Sequence, residues 1–348
     1  MRVLVYGAGA IGAYLGGLLT ESGVDVTLLA RGAQLEALAR DGLSLTLADG
    51  RTRKIAVKTC RSVDTGYGDT RSGDTGGRFD LVFVTLKSMQ LAAAAADIAA
   101  MLAPGGDLVM IQNGLPWWYF DHVDSPWRGT TLTSLDADGV LARGYDLTRV
   151  IGAVIYKPVM VTAPGQIKLP SFDGDKLILG EIDNCVSERV QRIAAMVSAA
   201  GLPAEVSADI RLAKWRKLAS NLVWNPLSAL TQSPPGRIAA TAGGAALVRD
   251  MMREGNAVAA AVGMDTGLDA ESELRRVKGN FTQQPSMLQD LRAGRALEWD
   301  AILNVVIEIA GLTGVAVPAL QHVAACVGLI DQRIRDDGVA FVPVPVKK

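Results

Sequence analysis

RVLVYGAGAIGAYLGGLLTESGVDVTLLAR, residues 2–31, decides the fold of this 348-residue chain. The β-branched run at 2–6 reads as a fully buried parallel strand. GAGAIG follows at 7–12, then apolar residues at helical spacing up to Gly23, then a second strand at 24–30 that ends at Arg31. Strand, turn, helix and strand make a βαβ unit, and that alternation implies a parallel sheet. Within the turn, Gly7 permits the tight reversal and Gly9 lets backbone amides approach a pyrophosphate, while Gly12 allows helix and strand to pack closely. The helix that opens at Ala10 and Ile11 adds unpaired N–H groups and the positive end of its dipole, which suit phosphate. The expected cofactor-binding residues here are Gly7, Gly9, Ala10, Ile11 and Gly12 of a Rossmann-type domain.

The tip of the second strand discriminates between dinucleotides. An NAD site usually places Asp or Glu there, on the ribose 2′-hydroxyl. This chain has Ala30-Arg31, and an arginine pairs with a 2′-phosphate through two charge-assisted hydrogen bonds, so NADP (NADPH) is the expected cofactor.

Further along, strands are expected at 43–47 paired with 55–58, at 79–86, and at 107–111 after a Pro-Gly-Gly turn at 104–106. Helices are expected at 34–40 and at 91–102. DTGYGDTRSGDTGG at 64–77 lacks apolar periodicity and reads as a flexible surface insertion. From 150 to 180 strands follow one another without helices, as in an antiparallel extension of the sheet. Past 185 the pattern turns helical, at 187–200, 209–230, 244–261, 286–293 and 298–312, with a Pro-broken tail, VPVPVKK, at the end. The fold class is therefore α/β, an N-terminal Rossmann-type dinucleotide-binding domain at 1–205 followed by an all-α C-terminal domain at 206–340.

Composition excludes several classes. Thirty-five basic against 36 acidic residues give a net charge of -1, with no electrostatic footprint for nucleic acid or an anionic membrane. Three dispersed cysteines and two histidines argue against structural zinc, a disulfide scaffold and a His-centred triad, so no metal site is expected. The apolar run to Leu19 imitates a signal peptide, but its ordered glycines fit a strand, turn and buried helix better. No other stretch supplies about 18 uninterrupted apolar residues, so a membrane span is not expected and a cytoplasmic location is.

Two C-terminal stretches carry chemistry. In KWRKLASNLVWNPLSALTQ (214–232), Lys217, Asn221 and Asn225 recur every four residues and share a helix face among apolar neighbours. Such polar groups line a cavity or form a solvated stripe, and Pro226 is expected to bend or end the helix just past Asn225. In SMLQDLRAGRALEWDAI (286–302), Ser286 and Asp290 share a face, Gly294 ends a helix, and Glu298 opens the next. A capping role for Glu298 competes there with a chemical one.

GAGAIG, VTLKSMQ (84–90), IQNG (111–114), WRKLASNLVWNPLSAL (215–230) and PSMLQDLRAGRALEWD (285–300) together resemble the ketopantoate reductase family, in order and spacing, over nearly the whole chain. That resemblance implies NADPH-dependent reduction of 2-dehydropantoate to pantoate, a step toward pantothenate and coenzyme A. It implies Lys217 as general acid, Glu298 in binding and orienting substrate, and Ser286 near the substrate carboxylate. Asn221 and Asn225 fall on the family's substrate-binding asparagines, and Lys87, Gln90 and Asn113 on positions that line the nicotinamide and the domain cleft. Glu254 and Asp290 are candidate supporting carboxylates, and a homodimer is a candidate assembly.

The chain departs from the family in the 64–77 insertion and in Trp117-Trp118-Tyr119-Phe120, an aromatic run that either reshapes the pocket or packs a longer loop. Three other readings stay open: a reductase of a different 2-oxo acid, an NADP-binding sensor without turnover, and a dehydrogenase of the 6-phosphogluconate or glycerol-3-phosphate type.

Overall fold

A computed structural model describes residues 1–61 and 78–344; the segment 64–77 and the end of the tail lie outside the described residues. The chain divides into two compact units. The first comprises Met1–Gln112, Phe120–Thr130 and Gly139–Ile210, and the second comprises Asn113–Tyr119, Thr131–Asp138 and the chain from Arg211 onward. A single cut in sequence misses this interleaving, because Asn113–Tyr119 groups with helices that begin some 100 residues later.

Among the described residues the first unit carries twelve strands in two sheets. These are β1 (Arg2–Tyr6), β2 (Asp25–Leu29), β3 (Leu43–Thr46), β4 (Thr52–Ile55), β5 (Lys58–Cys60) and β6 (Phe79–Val84). They continue with β7 (Leu102–Met110), β8 (Val150–Tyr156), β9 (Met160–Ala163), β10 (Gln166–Lys168), β11 (Lys176–Glu181) and β12 (Ala204–Val206). The large sheet runs β12-β11-β8-β7-β6-β1-β2-β5, parallel throughout except between β11 and β8. Leaving β1 the chain moves outward to β2 and later returns to β6 on β1's other side, so the strand order reverses at β1. Ligands of open α/β sheets bind at the carboxyl ends of strands where the order reverses.

Apolar strands place this core: Val3, Leu4, Val5, Leu28, Val82 and Phe83 are wholly buried. The helix Ala10–Glu21 packs so close to β1 that a Cβ at Gly12 would stand 2.1 Å from the Gly7 carbonyl oxygen. Only glycine fits there.

Several expectations are corrected. The partner of β3 is β4, at Thr52–Ile55 rather than 55–58, and the pair joins β10 and β9 in a separate four-stranded sheet. The region 150–180 therefore splits between two sheets instead of extending one. Pro104-Gly105-Gly106 does not break the chain before β7 but lies within it, where the pairing shifts between Phe79 and Leu81 and the extra residues bulge out.

The second unit is helical. Its longest helix, Ile210–Thr231, runs through Pro226 instead of stopping there. A proline inside a helix costs about 3 kcal/mol. Burial of Leu222, Val223, Trp224 and Leu227 around it, each giving roughly 2 kcal/mol, outweighs that cost. A 20-residue helix, Pro318–Asp337, occupies a stretch for which no element was expected.

Candidate active site

At the carboxyl end of β1, Gly7 has φ +108° and leads to Gly9, which caps the helix Ala10–Glu21. The Thr85 hydroxyl donates to the Gly7 carbonyl at 2.7 Å and holds the turn shut. A Cβ at Gly9 would meet nothing within 4 Å, so the backbone there is open to a ligand. The amides of Ala10, Ile11 and Gly12 sit in the first helical turn, where no carbonyl one turn back exists to accept them. Arg31 is exposed just past β2, as the residue preceding the helix Gly32–Asp41. Lys87 and Gln90 flank the short turn after β6, and the Lys87 amide donates to Gln90 Oε1 at 3.0 Å. Because β1 pairs with both β2 and β6 in parallel, all three loops emerge at one edge of the sheet. Open glycine backbone, a helix N-terminus and an arginine in place of an acid fit a dinucleotide with a 2′-phosphate.

Lys217, the residue expected to serve as acid, lies in the second unit. Lys217 Nζ donates to Asn113 Oδ1 at 2.8 Å, and Asn113 Nδ2 donates to Glu298 Oε2 at 3.3 Å. The two partners fix the amide's orientation, since an ammonium only donates and an ionised carboxylate only accepts. Burial pushes the Lys217 ammonium down to about 8, with the Glu298 carboxylate pulling the other way. Lys214, one turn earlier and 3% exposed, is pushed down to about 7 by burial and by Lys217, again opposed by Glu298. A buried lysine poised near neutrality can donate a proton and be reprotonated.

Backbone geometry holds Asn113 in this bridge. Gly114 has φ +74°, and a Cβ on it would fall 1.8 Å from the carbonyl oxygen of Ala301. That carbonyl accepts the Leu115 amide at 3.0 Å. Ala301 lies in a single π-helical turn, Asp300–Asn304, which precedes the α-helix Val305–Thr313. Wide π turns release carbonyls from the regular ladder and recur at functional sites. Here the released carbonyl docks the IQNG loop.

Other expected residues take different places. Glu298 is 8% exposed and precedes the π turn by two residues, with its carboxylate on Asn113 rather than capping a helix. Asn221 is half-buried on the Lys217 helix. Asn225 is 3% exposed, and its Nδ2 has no hydrogen-bond partner. Ser286 is exposed and opens the helix Ser286–Arg292. Asn113, grouped by sequence with the nucleotide domain, belongs to the second unit.

Of the candidate supporting carboxylates, Glu254 accepts the Ala319 and Leu320 amides at 3.0 and 2.9 Å, and Asp290 pairs with Arg295 at 2.9 Å. The aromatic run packs inside, all four side chains being buried; Tyr119 accepts the Trp215 indole N–H at 2.7 Å and, through its carbonyl, Arg211 at 2.6 Å. Lys214 is the functional candidate that sequence reasoning passed over, although its i−3 spacing from Lys217 is the signal that marks it.

The family profile "Ketopantoate reductase PanE/ApbA" matches residues 3–117, and "Ketopantoate reductase PanE/ApbA C terminal" matches 209–331. A 2-dehydropantoate 2-reductase of Mesorhizobium japonicum is 37% identical over 328 residues, covering 94% of this chain and 97% of the relative. Among solved structures, a candidate ketopantoate reductase from Ralstonia solanacearum superposes with a TM-score of 0.85 at 34% identity, covering 96% of this chain and 98% of that one. The 2-dehydropantoate 2-reductase of Geobacter metallireducens gives 0.78 at 29%, covering 94% and 99%. With the glycine turn in one unit and the Lys217–Asn113–Glu298 bridge in the other, the chain belongs to the ketopantoate reductase family.

Proposed function

We propose that this chain reduces 2-dehydropantoate to pantoate with NADPH, within the route to pantothenate. The observation that carries this reading is the hydrogen-bonded chain Lys217–Asn113–Glu298, an acid, a neutral bridge and a carboxylate inside a family of 2-oxo acid reductases. NADPH, when bound, supplies the hydride. Gly7, Gly9, Ala10, Ile11, Gly12, Arg31, Lys87 and Gln90 are the residues we assign to holding it, on a domain at 1–205. Asn113, which the sequence assigned to cofactor and substrate alike, serves the chemistry of 206–340.

Reduction of a 2-oxo acid builds negative charge on the carbonyl oxygen. A Lys217 ammonium beside that oxygen stabilises the charge and then gives up its proton. Asn113 aims Lys217 by accepting one of its N–H groups. Glu298 keeps Lys217 protonated more of the time, because its negative charge favours the ammonium. Asn221, Asn225 and Ser286 are assigned to substrate; the unpartnered Asn225 amide is a buried donor that a substrate oxygen would satisfy. The aromatic run is packed inside, which fits the reading in which it packs a longer loop.

No helix among the described residues is long and apolar enough to cross a membrane. We take the protein to act in the cytoplasm on a small molecule, as a homodimer, without nucleic acid. The test is NADPH absorbance with purified protein and a panel of 2-oxo acids. Oxidation with 2-dehydropantoate alone supports the reading, oxidation with another 2-oxo acid reassigns the substrate, and binding without oxidation points to a sensor.

A further inference from the structure

Glu298 lies between two residues that share one anchor. The Leu297 amide donates to Asp331 Oδ1 at 2.7 Å, and the Trp299 indole Nε1 donates to Asp331 Oδ2 at 3.3 Å. Asp331 stands on the helix Pro318–Asp337 and is 3% exposed; its Oδ2 also accepts Arg335 Nε at 2.7 Å, one turn further on. The same helix receives the Trp299 ring over Gly328, where a Cβ would come within 3.0 Å of the indole.

A carboxylate this deeply buried is costly unless it is paired and hydrogen-bonded. Arg335 supplies the opposing charge, and both oxygens are used. The use is specific, because Leu297 and Trp299 precede the π turn Asp300–Asn304 and belong to no regular helix or strand. Their position comes from Asp331, and what they carry between them is the carboxylate that meets Asn113.

We propose that Asp331 is a positioning residue for the reaction, clamping Leu297 and Trp299 so that Glu298 stays on Asn113 and, through it, near Lys217. The proposal rests on the functional reading above for the role of Glu298. Asp331→Asn keeps the size but turns an amide group toward donors, so the clamp loosens and the negative charge recedes from Lys217. The other charged groups involved are Lys214, which faces Lys217, and Asp300 and Arg335, which face Asp331.

The test uses the full-length parent, Asp331→Asn, Glu298→Gln and the double variant, in protein carrying ¹³C at lysine Cε. The Lys217 titration midpoint is followed by NMR, alongside kcat and KM. The clamp predicts a lower midpoint in both single variants and no further fall in the double. It also predicts a loss of roughly 10-fold in kcat/KM for Asp331→Asn. On the Glu298→Gln background that loss shrinks to less than about two-fold, as expected for residues acting through one another. A parent-like midpoint in Asp331→Asn, or the same fold-loss in both backgrounds, overturns the proposal. Should Asp331→Asn fail to fold, Trp299→Phe keeps an aromatic ring and removes one donor; it predicts a smaller shift of the same sign, and a parent-like midpoint there overturns the clamp. The titration needs no substrate, so a parent that reduces no 2-oxo acid overturns the functional reading while the clamp is still judged by the midpoints.

Discussion

Asn113 and Lys217, 104 residues apart in sequence, meet at 2.8 Å, with the amide oxygen toward the ammonium and the amide nitrogen turned to Glu298. In the proposed function this bridge makes Asn113 part of the acid, since it sets where a Lys217 proton points. Asn113→Ala should therefore lower kcat/KM by about 100-fold, the size seen when an aimed donor is lost from a reaction site. Steady-state kinetics check this, and a value within about two-fold of the parent would contradict the bridge.

The rate should depend on pH through Lys217. Its ammonium is the active form, and with that group pushed down to about 8, kcat/KM should be flat below that value and fall above it. Lys217 depresses Lys214 as a like charge, and Lys214, the lower of the two, has largely lost its proton when Lys217 titrates, so Lys214→Met should leave this limb in place. Glu298→Gln removes the group that favours the ammonium and should move it lower. A limb that moves in Lys214→Met, or one that stays in place or rises in Glu298→Gln, would refute this electrostatic account. Folding stability follows the same shift. Between about 8 and the ordinary 10.5 the unfolded chain holds the Lys217 proton that the folded chain has released, so this group makes stability rise with pH across that window.

Two glycines should separate folding from binding. At Gly114 alanine adds a Cβ 1.8 Å from the Ala301 oxygen at positive φ, so Gly114→Ala should cost about 3 kcal/mol or more in denaturant unfolding. Gly9→Ala meets nothing in the protein and should change stability by less than about 0.5 kcal/mol while weakening NADPH binding at least 10-fold. Equal stability losses in the two variants would contradict these assignments.

Much of the first unit is legible from residues 2–31 because its determinants are local: a β-branched run, glycines at fixed offsets and a helix start. The Lys217–Asn221–Asn225 face is legible for the same reason. What joins Lys217 to Glu298 is not, because Asn113 reaches them across 104 and 185 residues, and a π turn leaves no periodic mark that a helix does not. Pro226 misleads because a local helix-breaking cost was weighed without the burial on either side that overcomes it. The helix Pro318–Asp337 has apolar residues at 320, 323, 324, 327 and 334, a helical signal present in the sequence although no element is expected from it above.

Cofactor choice should rest on Arg31. Removing its guanidinium takes away the partner assigned to the 2′-phosphate, so Arg31→Ala should raise KM for NADPH by roughly 10-fold and leave KM for NADH nearly unchanged. An equal effect on both cofactors would place the 2′-phosphate elsewhere.

The most direct measurement is turnover of Lys217→Ala with NADPH and 2-dehydropantoate, beside NADPH affinity by fluorescence. The account predicts a kcat lower by about 100-fold or more, because a general acid is lost. It predicts unchanged NADPH affinity, because the glycine turn lies in the other unit. Turnover close to that of the parent would contradict Lys217 as the acid.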